Sequence, residues 1–388
     1  MDTDINMKQI TMRFPRSLSF GPGSLELFID EFKQLEYTRL FVITIPFLRE
    51  KLTPLFEALL PLGIQIKIYD RLKSEPTYND FSEILDIARA FRADSVAGIG
   101  GGSVMDTAKL LAALLLGNQS IDDVSGINRL KGRSTWLACL PTTSGTGSEV
   151  SPNAIFLDES DGEKKGVISP FLVPDAAYVD PELTMGVPPA ITAFTGIDAF
   201  THCLEAFVNR FSHPVVDQYA IKGIELIYQS LEPAFKNGKD TEARTNVALG
   251  SLYGGMCLGP VNTAAVHALA YPLGSKFKIP HGLSNALLLP YVMEFNLPAA
   301  TGKYARVARA IGVKDRKTDE EQAREGINRI RQLLKAIDIP MKLSQLNIPG
   351  KELEGMALSA IKVQRLLKNN VRDMSIEDIL KIYKSAYE

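Results

Sequence analysis

Residues 95 to 116, SVAGIGGGSVMDTAKLLAALLL, limit the possible fold more than any other stretch. The short apolar run SVAGIG reads as a strand with both faces buried, and LLAALLL has the composition of a packed helix. Between them three consecutive glycines turn the chain. A buried strand that passes through glycine into a helix is half of a βαβ unit, and such units build a parallel sheet covered by helices.

The flanking sequence continues that alternation. RLFVITI at 39 to 45 reads as a buried strand, a helical pattern follows at 47 to 60, and IQIKIYD at 64 to 70 alternates like a second strand. Residues 79 to 92 place Phe81, Ile84, Leu85, Ala88 and Phe91 on one helical stripe. TWLACLP at 135 to 141 is a further strand, and AIFLDE and AAYVDPEL are extended or turn-rich. Right-handed crossovers make this an open, Rossmann-like α/β sheet. Beyond Val187-Pro188-Pro189 the texture changes to helical patterns, at 214 to 235, 241 to 258 and 318 to 336, with no convincing strand. A chain of 388 residues exceeds the size at which one core keeps growing. The expected division is an α/β domain over 1–188 and an all-helical domain over 189–388.

The second domain holds three of the chain's four histidines, in the contexts GIDAFTHCLEAF, TAAVHALAYPLG and KIPHGLSNALLLPY. Asp198 and His202 are four apart in a segment whose apolar residues suit a helix, so both side chains share one face. With His267 and His281 they form a set of one carboxylate and three imidazoles, which suits Fe²⁺ or Zn²⁺ better than Ca²⁺ or Mg²⁺. The absence of a thiolate favours an open catalytic site over a closed structural one. The alternative reading is an aspartate in a helix and three core histidines satisfied by backbone carbonyls.

The glycine turn also has two readings. Gly100, Gly101 and Gly102 would let the backbone approach an anion at the start of the next helix, where free N–H groups and the helix dipole favour phosphate. Ser103 and Asp106 alternatively have the spacing of a capping box in an ordinary turn. The segment is neither the usual dinucleotide fingerprint, because its third glycine would fall on Ser103, nor a Walker loop, since no GK[ST] follows. A second loop, PTTSGTGSE at 141 to 149, also follows a strand and is rich in hydroxyls and glycine. Two such loops at strand ends of one sheet lie where α/β sheets bind ligands, and a nucleotide-sized molecule would span both.

Bulk properties exclude other classes. Lys and Arg number 43 against 45 Asp and Glu, which leaves no field to attract nucleic acid or an anionic membrane. The longest apolar run is too short to span a bilayer. Cys139, Cys203 and Cys257 are few, odd in number and without a CxxC pair, and MDTDINMKQI carries acidic residues where a secretory signal would be basic. A cytoplasmic protein is the expectation.

GGGSVMDTAK, PTTSGTGSE, DPELT at 180 to 184, Asp198-x-x-x-His202, His267 and the PHG around His281 together resemble the iron-containing alcohol dehydrogenases, whose fold is like that of dehydroquinate synthase. The resemblance covers nearly the whole chain. It implies a dinucleotide-binding first domain, a helical metal- and substrate-binding second domain, an active site in the cleft between them, and a homo-oligomer. The family's metal ligands fall on Asp198, His202, His267 and His281. Its pyrophosphate contacts fall on Gly101, Gly102 and Ser103 with Asp106 nearby, its adenine and ribose contacts on Thr142, Thr143 and Ser148, and positions near the nicotinamide and substrate on Asn153 and Lys165.

Three positions depart from the family pattern. Many members have a second histidine where this chain has Tyr271, and a phenol is a poor general base at neutral pH, so a ribose hydroxyl or water would carry the proton. Ile45 stands where NAD-preferring members often place an aspartate, which leaves both NAD and NADP open; its other reading is simple packing. Leu258, with Asn262 nearby, stands where relatives have an aromatic facing the substrate, which suggests a roomier, somewhat polar pocket or else core packing.

The reaction implied is reversible hydride transfer between a small alcohol or its aldehyde and NAD(P), with a divalent metal, Fe²⁺ or possible Zn²⁺, favouring ionisation of the hydroxyl. Two rivals differ in class. A metal-dependent lyase of the dehydroquinate synthase type would need several basic side chains for its charged substrate, and the histidine segments offer only Lys276 and Lys278. A catalytically idle nucleotide-binding protein would leave four matched metal ligands unexplained.

Overall fold

The computed structural model describes residues 9–72, 76–160 and 163–388; most of MDTDINMKQI, on which the reading of the N-terminus rested, lies outside them. The chain divides into two compact units, Arg13–Met185 and Gly186–Glu388, and residues 9–12 belong with the second.

The first unit alternates strand and helix as the hydrophobic patterns require. In chain order it contains β1 (Ser17–Phe20), α1 (Ser24–Phe32), β2 (Arg39–Ile43), α2 (Thr53–Leu59), β3 (Gln65–Tyr69), α3 (Tyr78–Phe91), β4 (Ser95–Gly100) and α4 (Gly102–Leu114). It continues through α5 (Ile121–Val124), β5 (Gly126–Ile127), β6 (Trp136–Pro141), β7 (Asn153–Asp158), β8 (Glu163–Ile168) and β9 (Ala176–Val179). Six strands form a parallel sheet in the order β1-β9-β6-β4-β2-β3, and β5, β8 and β7 form a small second sheet. Both faces of the large sheet are buried. Phe41, Ile43, Val96, Leu137 and Cys139 face one apolar cluster, while their neighbours Leu40, Val42, Ala97, Ala138 and Leu140 face another.

The helical pattern expected over 47–60 is realised as short 3₁₀ turns at Pro46–Leu48 and Glu50–Leu52 before α2. Pro46 and Pro54 are the cause, because proline is tolerated only at the start of a helix and restarts it here. From β2 the chain builds outward to β3, then returns to β4 and builds the other way through β6 and β9. The carboxyl ends of β2 and β4 therefore flank the point where strand order reverses, which in open α/β sheets is the ligand crevice. The Thr44 hydroxyl donates to the Ile99 carbonyl at 2.8 Å and ties these two strand ends together.

In the second unit every described regular element is helical: α6 (Pro189–Val208), α7 (Pro214–Lys236), α8 (Thr241–Leu258), α9 (Ala265–Phe277), α10 (His281–Ala310), α11 (Asp319–Ala336), α12 (Leu353–Ala360), α13 (Gln364–Leu367) and α14 (Ile376–Tyr387). One continuous apolar core joins them, and α6 lies inside it. Residues 196 to 208 of α6 are buried without interruption, so its polar members Asp198, His202 and Glu205 must find partners within the protein. No helix among the described residues is long and apolar enough to cross a membrane.

Candidate metal centre and nucleotide loops

α6 carries Asp198 and His202 one turn apart, α9 carries His267 in its first turn, and His281 opens α10. Donor atoms of Asp198, His267 and His281 lie within 4.8 Å of one another. His202 reaches the same carboxylate from the other side, with Nε2 3.9 Å from Asp198 Oδ2. Its ring stacks on His267 with centroids 4.8 Å apart, and His281 tilts against His267 at 5.2 Å. Three of the four expected ligands thus converge in one group, and His202 adjoins it. The fourth histidine, His213, is elsewhere, capping α7 by accepting the Val215 N–H.

The close entry of α10 depends on Gly282. A Cβ there would lie 2.0 Å from the Phe194 carbonyl oxygen of α6, so only glycine lets the two backbones approach and brings His281 to Asp198. Access is one-sided. The side chains of Asp198, His202 and His267 are 5%, 7% and 4% exposed, whereas His281 is 30% exposed, so a small molecule would reach the group from the His281 side.

Two residues that motif reading missed complete the group. Glu205, one turn beyond His202 on α6, accepts the backbone N–H groups of Ala264 at 2.9 Å and Val266 at 2.6 Å and faces His267 Nδ1 at 2.6 Å. Its carboxylate thus caps the start of α9 and fixes the ring through Nδ1, so that Nε2 faces the group, where a bound metal would take the place of a proton. The other is Asn285, one turn into α10, whose amide nitrogen lies 2.6 Å from Asp198 Oδ1, 3.1 Å from His267 Nε2 and 3.3 Å from His281 Nε2. When both imidazoles present lone pairs, as metal ligands must, an amide has two hydrogens for these three atoms. The focus therefore calls for more positive charge than the amide brings, and the donor set fits a divalent cation.

Electrostatics agree. Burial opposes ionisation of Asp198, but the His202 and His281 imidazoles and the hydrogen bond from His267 outweigh it and hold the carboxyl well below the usual range. For His267 burial opposes the charged form, yet Glu205 and Asp198 push its pKa up to about 10. Acidic surroundings of this strength select for a cation, either a proton or a metal ion.

In the first unit the two glycine-containing loops interlock. The Thr142 N–H donates to the Gly100 carbonyl at 3.0 Å. A Cβ on Gly101 would touch Thr143 Oγ1 at 3.3 Å, and one on Gly102 would strike Thr146 at 2.5 Å. α4 begins at Gly102 with Gly101 as its cap and no side-chain cap, so the capping box between Ser103 and Asp106 does not form. Asp106 instead accepts from Ser148 Oγ at 2.5 Å and from the Ile155 N–H at 2.9 Å. This joins α4, the second loop and β7, whose first residue is Asn153, with a buried carboxamide oxygen that lacks a hydrogen-bond donor among the described residues. At the start of α4 the first N–H groups have no carbonyl one turn back, as a phosphate site requires.

Lys109 holds this arrangement from beneath. Fully buried, its ammonium donates to Ser148 O at 3.0 Å, Ser148 Oγ at 2.8 Å and Ser151 O at 3.2 Å. Glu149 in the same loop is pushed up to about 7 by burial, against the pull of its own backbone N–H and of Lys109. Lys165 lies on β8 opposite Phe156, where its ammonium pairs with Asp158.

The departures resolve in part. Ile45 packs against the core on one face of the large sheet. Leu258 is 7% exposed, and Asn262 has φ 71° with its side chain turned back to accept the Thr263 N–H at 2.8 Å, so its carboxamide is committed locally. Tyr271 lies 6.2 Å from His281, ring to ring, and accepts a hydrogen bond from Arg365 at 2.6 Å. Lys276, one of two bases available to a lyase, is paired with Glu352.

The sequence matches two family profiles, one described as iron-containing alcohol dehydrogenase over residues 15–181 and one as the C-terminal part of the Fe-containing alcohol dehydrogenase family over residues 192–387. It is 36% identical over 381 residues to long-chain-alcohol dehydrogenase 1 of Geobacillus thermodenitrificans (strain NG80-2), covering 96% of each chain. It is 34% identical over 384 residues to the sulfoacetaldehyde reductase of Bilophila wadsworthia (strain 3_1_6), covering 96% of this chain and 98% of that one. The solved structure of a 1,3-propanediol oxidoreductase superposes with a TM-score of 0.94 at 29% identity, over 98% of this chain and 100% of the other.

Proposed function

The chain belongs to the iron-containing alcohol dehydrogenase family, and within that family we propose that Asp198, His202, His267 and His281 hold its metal and that the two glycine loops hold its nucleotide. The protein is an NAD(P)-dependent oxidoreductase acting on the CH–OH group of alcohols and, in reverse, on aldehydes. Iron and NAD(P) are the family's cofactors. The observation that carries the metal assignment is the convergence of Asp198, His267 and His281 donor atoms within 4.8 Å, with the Asn285 amide at their focus.

A divalent cation there supplies Lewis acidity, which favours the ionised hydroxyl in one direction and polarises the carbonyl in the other. The chain's residues do the rest. Glu205 keeps the His267 proton on Nδ1, the buried walls of α6 and α9 exclude water, and the exposed edge at His281 admits substrate. On the other unit, Gly100, Gly101, Gly102 and Ser103 present backbone to the pyrophosphate. Asp106 stands near the pyrophosphate, Thr142, Thr143 and Ser148 shape the adenosine side, and Asn153 offers a carboxamide oxygen without a donor among the described residues. Lys165, paired with Asp158, is the least supported of these assignments.

Elemental analysis of anaerobically purified wild type and His267→Ala, with alcohol-dependent reduction of NAD⁺ and NADP⁺ on the same samples, tests this reading. About one Fe or Zn per chain is expected in the wild type, lost together with activity in the variant; activity that persists without metal would overturn it. The same assay decides between the two nucleotides, since the packed Ile45 neither binds nor repels a 2′-phosphate. A cytoplasmic location is supported by three buried thiols, none in a disulfide. A homo-oligomer is supported by exposed apolar side chains such as Phe47 and Leu62, and light scattering reads it out.

A further inference from the structure

We propose that Arg365 forms an anion-binding subsite beside the metal centre, so that the favoured substrates are short aldehydes or alcohols carrying a carboxylate or sulfonate a few carbons from the reacting carbon. The inference rests on the reaction proposed above and names its substrate class.

Arg365 is half-buried on α13. Its guanidinium carbon lies 5.6 Å from the centre of the Tyr271 ring, and Nη2 donates to the Tyr271 hydroxyl. Tyr271 in turn lies 6.2 Å from His281, the one metal-site side chain with appreciable exposure. Tyr271 thus stands next to both the guanidinium and the exposed histidine of the site, which bounds the separation between them to the length of a short aliphatic spacer.

The charge there is not matched. Among the described residues no carboxylate forms an ion pair with Arg365; its polar side-chain partner is the Tyr271 hydroxyl. Arg331 makes the contrast. It also lies over a tyrosine, Tyr291, but pairs with Glu294 at 2.8 Å. Nearby Lys276 is likewise neutralised, by Glu352. A guanidinium whose side-chain hydrogen bond among the described residues runs from Nη2 alone is suited to a planar or tetrahedral anion, which it can bind with two parallel hydrogen bonds.

The subsite is also held rigidly. Leu366 and Leu367 beside Arg365 are buried, and Asn369 donates to the Thr263 carbonyl at 2.8 Å, which ties the end of α13 to the segment leading into α9. Binding would therefore lose little freedom of the protein.

The test uses metal-loaded, full-length wild type, Arg365→Gln and Arg365→Lys. Turnover of 4-oxobutanoate is compared with turnover of butanal, and calorimetry follows 4-hydroxybutanoate binding without nucleotide. In the wild type kcat/KM should favour 4-oxobutanoate. The ratio over butanal should fall about 10- to 100-fold in Arg365→Gln, chiefly through KM, and recover in part in Arg365→Lys. Equal loss for both aldehydes would assign Arg365 to packing and overturn the subsite, as would 4-hydroxybutanoate binding that ignores the substitution. If neither aldehyde turns over while 4-hydroxybutanoate still binds through Arg365, the reaction falls and the subsite stands.

Discussion

Glu205 decides which nitrogen of His267 can bind a cation. A carboxylate that accepts two backbone N–H groups and faces Nδ1 at 2.6 Å has no use for a second lone pair there, so Nδ1 keeps its proton and a cation would bind at Nε2 in place of the other. Glu205→Gln should therefore lower affinity for Zn²⁺ or Co²⁺ about 10- to 100-fold, measured by chelator competition on the purified protein. An unchanged affinity would reduce Glu205 to a cap for α9. The residue stands in plain view in GIDAFTHCLEAF, three positions after His202, but its partners are the N–H groups of residues 264 and 266. No spacing rule connects them. Asn285 escaped for the same reason: an asparagine one turn after His281 becomes informative only when its amide is seen among three acceptors from three helices.

At the scale of elements, the site is a crossing of α6, α9 and α10, and what permits the crossing is the absence of a side chain at Gly282. The atom a Cβ would meet at 2.0 Å belongs to the Phe194 backbone, which cannot rotate away, so the first turn of α10 would have to shift and carry His281 with it. Gly282→Ala is expected to lower metal affinity by tenfold or more and to destabilise the protein by about 1–3 kcal/mol, read by chelator competition and thermal melting. A variant that binds metal normally would show that α10 has slack. Gly102 makes a milder case, because its obstacle is the Thr146 side chain, which can turn. The PHG and GGG motifs are visible in the sequence, but only the glycines of the second read there as turn formers. That the glycine of the first governs a helix–helix approach depends on Phe194, 88 positions away in the chain.

For the whole molecule, two units with separate apolar cores imply that the two ligands stabilise different parts. A ligand at 100 times its Kd adds about 2.7 kcal/mol to whatever binds it. Hydrogen exchange followed by mass spectrometry should show metal removal by a chelator loosening α6, α9 and α10, and NAD(P) protecting β4, α4 and the second loop. Equal loosening of both units on chelation would sink the assignment of one ligand to each. The sequence by itself determined the sheet-and-helix alternation, the change to helices after residue 188, the four side chains proposed as metal ligands and the two glycine loops. These are local: buried strands, amphipathic periods and motif spacings are written in neighbouring residues. Tertiary structure alone decided that Asp106 ties α4 to Ser148 and β7 rather than capping its own helix. It also decided that Lys109 is buried beneath the second loop, that Glu205 and Asn285 join the Asp198 and His267 cluster, and that Arg365 donates to Tyr271. Each of these depends on side chains brought together from distant segments, where burial removes water as an alternative partner and makes the few contacts that remain decisive.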